Sequence, residues 1–335
     1  MSKIIKFVKF LFISIFLTCV SIFSTSIYAL SSDWIINDKS KVRLISPKTT
    51  SDNMNEVIIG LEYELDPGWK TYWKSPGGGG FPQKIIWNNS TNINDIIIDW
   101  PVPKEFEILG LTSLGYDEKV IFPLKVKLNN TKKINNINLN INYLVCKNIC
   151  IPGNANLFLE LPSGYGEYTE FLYDIEKAKS SLPFKDINLS SINNIKAQAL
   201  KKQDKVEIEI NVESDKNFLN PNIFIHTSFG LPVAKPLNDI FFNLKKIKST
   251  FLFDADQFSK ENFPIEVIIS DKNHNFSFTD KINIKNNPNE IKINNSTLYI
   301  ILISLLGGLI LNLMPCVFPV LSIKLLSVLN TQSQN

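Results

Sequence analysis

Arginine is almost missing from this sequence: Arg43 stands alone among 35 basic residues in 335. Histidine is nearly as scarce, with His226 and His274 far apart. Two isolated imidazoles make a poor metal set and are read as surface residues. An excess of charge is missing as well. There are 35 basic and 32 acidic residues, and Lys3, Lys6 and Lys9 lie in residues 1–29, which hold no acid. The remainder is balanced, so there is no electrostatic ground for nucleic acid as a partner. Glycine clusters once, at Gly77–Gly80 after Ser75-Pro76, without the Gly-Lys-Ser/Thr ending of a phosphate loop. It reads as a flexible inter-strand loop. Nothing in the sequence asks for a cofactor or a metal.

The two ends are apolar. Lys3, Lys6 and Lys9, the apolar run Phe10 to Ile22 and the small residue Ala29 read as a signal peptide over 1–29. Residues 298–323 are nearly all apolar, and about 20 such residues cross a bilayer. A transmembrane helix is therefore expected over 297–326, with a short cytoplasmic tail at 327–335. Export places residues 30–297 in the periplasm and the chain in a bacterial inner membrane, where disulfides persist outside.

Between these ends the pattern has a period of two. Val57, Ile59, Leu61, Tyr63 and Leu65 share one face, with Glu62 and Glu64 opposite. Val120, Phe122, Leu124, Val126 and Leu128 do the same, as do Ile137, Leu139, Ile141 and Tyr143, and then Leu157, Leu159 and Leu161. Such alternation predicts antiparallel strands over one core. All five tryptophans fall here. Tyr168, Phe171, Leu172 and Ile175 switch to a helical period, followed by Pro183. Alternation returns at Val206, Ile208, Ile210 and Val212 and at Phe276, Phe278, Ile282 and Ile284. The expected fold is mainly β: two immunoglobulin-like β-sandwich domains at 30–164 and 186–292, a linker helix within 165–185, then the transmembrane α-helix.

Cysteine carries the chemistry. In Tyr143-Leu144-Val145-Cys146-Lys147-Asn148-Ile149-Cys150-Ile151-Pro152 the two thiols stand four residues apart. An extended chain would separate them by about 13 Å, while a disulfide needs Cα atoms about 4.4–6.8 Å apart. They bond only if Lys147-Asn148 forms a turn. Three uses are open. A structural staple closing so small a loop stabilises by only about 2 kcal/mol. A Cu(I) site finds no Met or His nearby. An exchange pair is favoured, because tight rings are reducible and Lys147 beside Cys146 promotes a thiolate. Cys19 lies in the signal segment. In the apolar span, Asn312 and the stretch Met314-Pro315-Cys316-Val317-Phe318-Pro319 break a simple anchor. Such breaks suit a bundle of several membrane helices.

These pieces together resemble one family. Asp66-Pro67-Gly68-Trp69-Lys70-Thr71-Tyr72-Trp73, Gly110-Leu111-Thr112-Ser113-Leu114-Gly115-Tyr116, the Tyr143–Pro152 stretch and Leu313–Pro319 resemble DsbD-type thiol:disulfide interchange proteins, especially the ScsB-like branch. The resemblance implies a protein-disulfide reductase type of enzyme with Cys146 and Cys150 as its periplasmic redox pair and Cys316 as half of a membrane pair. It places Lys147, Tyr143, Trp69, Tyr72, Leu114 and Tyr116 around the site, with the 110–116 segment as a cap. Implied partners are periplasmic thiol–disulfide proteins serving disulfide reduction, cytochrome c assembly or copper-stress pathways, the remaining membrane helices and a thioredoxin-like domain. The family continues beyond one span, whereas this sequence ends at Asn335. The competing reading is a non-catalytic, membrane-anchored binding module with a structural disulfide or a Cu(I) site.

Overall fold

Sustained alternation becomes strand wherever the sequence carries it. The computed structural model describes residues 29–108, 110–186, 191–227, 229, 238–286 and 297–312. They are mainly β, in sandwich-like sheets.

The first sheet runs β1 (Ile35–Asn37), β2 (Ser40–Ile45), β3 (Glu56–Leu65), β9 (Lys119–Leu128) and β6 (Ile93–Ile98). The second runs β11 (Cys150–Leu161), β10 (Asn135–Cys146), β4 (Lys70–Gly77), β8 (Leu111–Asp117) and β7 (Lys104–Ile108). The short β5 (Lys84–Ile86) also pairs with β10. One face of each sheet buries its apolar set. Leu44, Ile59, Leu61, Tyr63 and Phe122 meet Ile137, Ile141, Val145 and Leu157 in a single core. Burial of each such side chain contributes about 1.5–3 kcal/mol.

The outer face of the first sheet is not all solvent. Helix α1 (Leu172–Ser180) lies on it, and Phe171 and Ile175 pack against Ile45 and Ile121. Glu62, expected to face water, is therefore fully buried, paired with Arg43 at 2.6 Å and Lys119 at 2.7 Å. The helix is also shorter than the periodicity predicts. Tyr168 forms a β-bridge with Lys48 instead, because Thr169 N donates to Pro47 O and Thr49 N to Glu167 O. These backbone bonds hold residues 167–169 extended until the helix begins.

Seven more strands follow: β12 (Ile192–Lys202), β13 (Lys205–Ser214), β14 (Asn222–Thr227), β15 (Asn238–Asn243), β16 (Lys246–Asp254), β17 (Asn262–Ser270) and β18 (Asn275–Asn286). They are joined in the order β14-β17-β18-β12-β13-β16-β15. β18 pairs antiparallel with β17 through Asn283, then parallel with β12 from Ile284. That switch folds the strand path over a second core of Ile208, Ile210, Phe251, Phe263, Val267 and Phe276. The first core continues into this part through Phe224 and Ile268.

The chain divides into two compact units between Asn286 and Asn287. The second holds α2 (Thr297–Asn312), of 16 residues. At 1.5 Å per residue it spans about 24 Å, less than the ~30 Å of a bilayer core. No helix among the described residues is long and apolar enough to cross a membrane. The expected span to 326 runs into residues 313–335, outside the described ones. The expected signal segment (apart from Ala29), Cys19 and Cys316 also lie outside them.

Candidate functional site

The hairpin between β10 and β11 is in register along its whole length, from Asn135 opposite Leu161 to Cys146 opposite Cys150. Lys147, Asn148 and Ile149 make the turn, closed by Lys147 N donating to Ile149 O at 3.0 Å. This geometry draws the two cysteine Cα atoms to 4.1 Å, and their sulfurs are bonded. The partners are unequal. Cys146 is flanked by β11 on one side and by Lys70 of β4 on the other, and is 0% exposed. Cys150 lies at the start of the edge strand β11 and is exposed.

A small cluster surrounds the buried sulfur: Tyr72, Ile108 and Cys146, with Phe106 and Leu144 at its margin. Tyr72 comes from β4, directly after a turn in which Trp69 N donates to Asp66 O. Pro67 and a positive φ of 81° at Gly68 mark that turn as type II. The Tyr72 hydroxyl donates to Gly79 O at 2.9 Å and stands 3.8 Å from Cys150 Sγ. Burial raises its pKa, so it stays a protonated donor. The Lys147 side chain lies over Gly68, and its ammonium donates to Pro67 O at 3.3 Å.

Of the residues expected around the pair, Tyr72 and Lys147 are therefore beside it. Trp69, Leu114 and Tyr116 are packed in the first core. The Tyr116 hydroxyl donates to Pro101 O, and the Tyr143 hydroxyl meets Ser40 and Asn37. The 110–116 segment is chiefly strand β8, and its hairpin partner β7 supplies Phe106 and Ile108 to the cluster.

Sequence reasoning missed those two residues and also the glycine run. Gly80 lies so close to Tyr72 that an added Cβ would stand 2.2 Å from its ring. Gly77 has a φ of 84°, and Gly78 N donates to Thr112 O. Gly79 and Gly80 thus wall in Tyr72, while Gly77 and Gly78 run against Thr112 of β8. A run of residues without side chains, just after an aromatic strand, is the signal that could have revealed close backbone approach.

Neither histidine is a surface residue. His274 is 4% exposed, stacked on Phe218, with Ser214 Oγ and Asp271 Oδ1 each 2.7 Å from its ring nitrogens. The same Ser214 hydroxyl donates to Ser191 O and accepts from Lys216 N, so this buried trio holds a turn together. His226 of β14 is half-buried, with Ser75 Oγ of β4 2.7 Å from its Nδ1. Among the described residues no group of three or more His, Cys, Asp or Glu gathers as a metal site.

Residues 41–162 match the family model for the N-terminal region of thiol:disulfide interchange protein DsbD. Comparison with curated proteins finds no match. Among solved structures, the N-terminal periplasmic domain of ScsB from Proteus mirabilis is similar at 24% identity and a TM-score of 0.62. The match covers 77% of this chain and 100% of that one. An endo-fucoidan hydrolase of glycoside hydrolase family 107 matches at 9% identity and a TM-score of 0.17 over 61% of this chain and 24% of its own, too little to carry an argument. The 41–162 segment, which holds the cysteine hairpin, is thus similar to the N-terminal region of DsbD, and the likeness to the ScsB domain is one of fold.

Proposed function

We propose that Cys146 and Cys150 are a thiol–disulfide exchange pair acting on proteins of the bacterial envelope. The single observation that carries this is the inequality of the two sulfurs: Cys146 buried, Cys150 exposed at the edge of the sheet. A staple needs no such asymmetry, whereas exchange needs one sulfur within reach of a visitor and one withheld.

In the reducing direction, the Cys150 thiolate attacks one sulfur of a partner's disulfide. A mixed disulfide forms, and the partner's other sulfur leaves as a thiolate and takes a proton. Cys146, deprotonated, then attacks Cys150 Sγ and expels the partner's second thiolate. The partner gains two electrons and the Cys146–Cys150 bond is restored. A membrane dithiol, to which Cys316 contributes one sulfur, returns the pair to its reduced state. On reduction the Tyr72 hydroxyl turns its one proton from Gly79 O to the Cys150 thiolate, and Phe106 and Ile108 shield Cys146.

The location follows from the apolar ends. The described side chains of α2 include Ile301, Leu302, Ile303, Leu305, Leu306, Leu309 and Ile310, all exposed and apolar on every face. A helix of that kind belongs in lipid or among other helices. Residues 30–297 then stand in the periplasm, anchored to the inner membrane, with periplasmic thiol–disulfide proteins as exchange partners.

Trapping tests the assignment. Cys146→Ala should accumulate a mixed disulfide through Cys150, and Cys150→Ala should accumulate none. A reduction potential below about −300 mV would mark a structural bond and end the exchange reading.

A further inference from the structure

We propose that the second sandwich is a working part of the redox site. In this proposal His226 and Glu266 are positioning residues that hold β4, and through it Tyr72, in place against Cys150. It rests on the reading of Cys146 and Cys150 as an exchange pair.

Strand β4 is irregular. Its ladder with β8 is regular from Lys70 opposite Asp117 to Tyr72 opposite Gly115, and resumes only at Gly77 opposite Ser113. Five steps on one strand are thus matched by two on the other. A strand that leaves its ladder must find other partners for its polar groups.

The side chains of this stretch find theirs on β14 and β17. Ser75 Oγ is 2.7 Å from His226 Nδ1. Lys74 Nζ is 2.5 Å from Glu266 Oε2, and Ser277 Oγ donates to Glu266 Oε1 at 3.1 Å. Trp73, fully buried, packs against Phe224 and His226, each with ring centroids 6.2 Å away. The three residues that follow Tyr72 are therefore fixed by the second sandwich.

Tyr72 sits between this anchorage and the sulfur. Its ring is confined by Gly80, and its hydroxyl lies between Gly79 O and Cys150 Sγ. A hydrogen bond weakens steeply with distance and angle. A small shift of residues 73–75 thus changes what the hydroxyl offers to a Cys150 thiolate. The junction tunes a bond made outside it.

The test uses the full chain in detergent, reduced, with iodoacetamide alkylation of Cys150 and the midpoint potential of the pair in a dithiothreitol series as readouts. Ser75→Ala, Glu266→Gln and His226→Leu should each slow alkylation by about threefold or more and shift the midpoint. His226→Asn, which keeps a polar atom near the Nδ1 position, should restore most of the rate. In a Tyr72→Phe background the same substitutions should have no further effect, since the residue they act through is gone. Ser75→Ala removes one hydroxyl only and serves where the other variants do not fold. Folded junction variants with unchanged rate and midpoint overturn the coupling alone. A wild-type pair that no dithiol reduces overturns the coupling together with the exchange reading.

Discussion

Arg43 shows at the residue scale what one side chain is kept for. Its guanidinium lies 4.2 Å from the Trp34 ring and 4.8 Å from that of Phe171, and its Nε bonds the buried Glu62. Lysine is used everywhere else in this chain, but an ammonium does not stack between two rings while aiming a donor at a carboxylate. Arg43→Lys should lower stability by about 2 kcal/mol, read as a fall in melting temperature. An unchanged melt would reduce the stacking to ornament. Tyr72 makes the complementary case at the site. Tyr72→Phe keeps the ring and removes only the donor. It should slow reaction of the reduced Cys150 with iodoacetamide about tenfold, the scale of one hydrogen bond to a charged group. Equal rates would exclude the hydroxyl from the chemistry.

Elements differ in how openly the sequence displays them. β3, β9, β10, β11 and β13 are legible because each alternates over a long run, and the turn at Lys147–Ile149 is demanded by bonding two cysteines four apart. The wall around Tyr72 is not legible in the same way. Gly77–Gly80 has no side chains to pattern, and Phe106 and Ile108 reach Cys146 from a hairpin distant in sequence. The start of α1 lies later than its apolar stripe for a related reason, since backbone bonds to Pro47 and Thr49 outweigh a helical stripe of apolar side chains. The glycine wall yields its own expectation. Gly80→Ala should displace the Tyr72 ring and slow exchange, whereas Gly78→Ala, whose added carbon makes only ordinary contacts with Thr112 and Leu111 at 3.6 Å or more, should leave exchange near wild type. Stopped-flow thiol exchange on both variants separates the two, and equal slowing would show that the wall does not matter.

The whole first unit is held together partly by groups that titrate. Burial, helped by the Lys74 charge, pushes His226 down to about 4. In the unfolded chain an imidazole takes its proton near 6.5. The folded form's advantage is therefore complete above about pH 6.5, is lost as pH falls, and is gone below about 4. Glu266 acts in the same direction. Burial raises its pKa, but the Lys74 ammonium and its hydrogen bonds outweigh that and lower it overall, so its contribution also fades in acid. Between pH 6.5 and 4 the wild type should lose about 1–3 kcal/mol through His226, with the half-exposed ring allowed for. His226→Asn should lose correspondingly less across the same series of thermal melts. Parallel losses would show that this imidazole does not govern the junction. No local pattern in the sequence announces this contact, because its two sides are about 150 residues apart and each reads alone as ordinary strand.

The in-register hairpin has a last consequence. Cutting the bond between Cys146 and Cys150 liberates no loop, since the pairs from Val145–Ile151 to Asn135–Leu161 already keep both arms aligned. The cross-link is a latch on a door whose hinges are elsewhere. Opening it leaves the frame standing, so the alignment of the two arms does not depend on whether the sulfurs are joined.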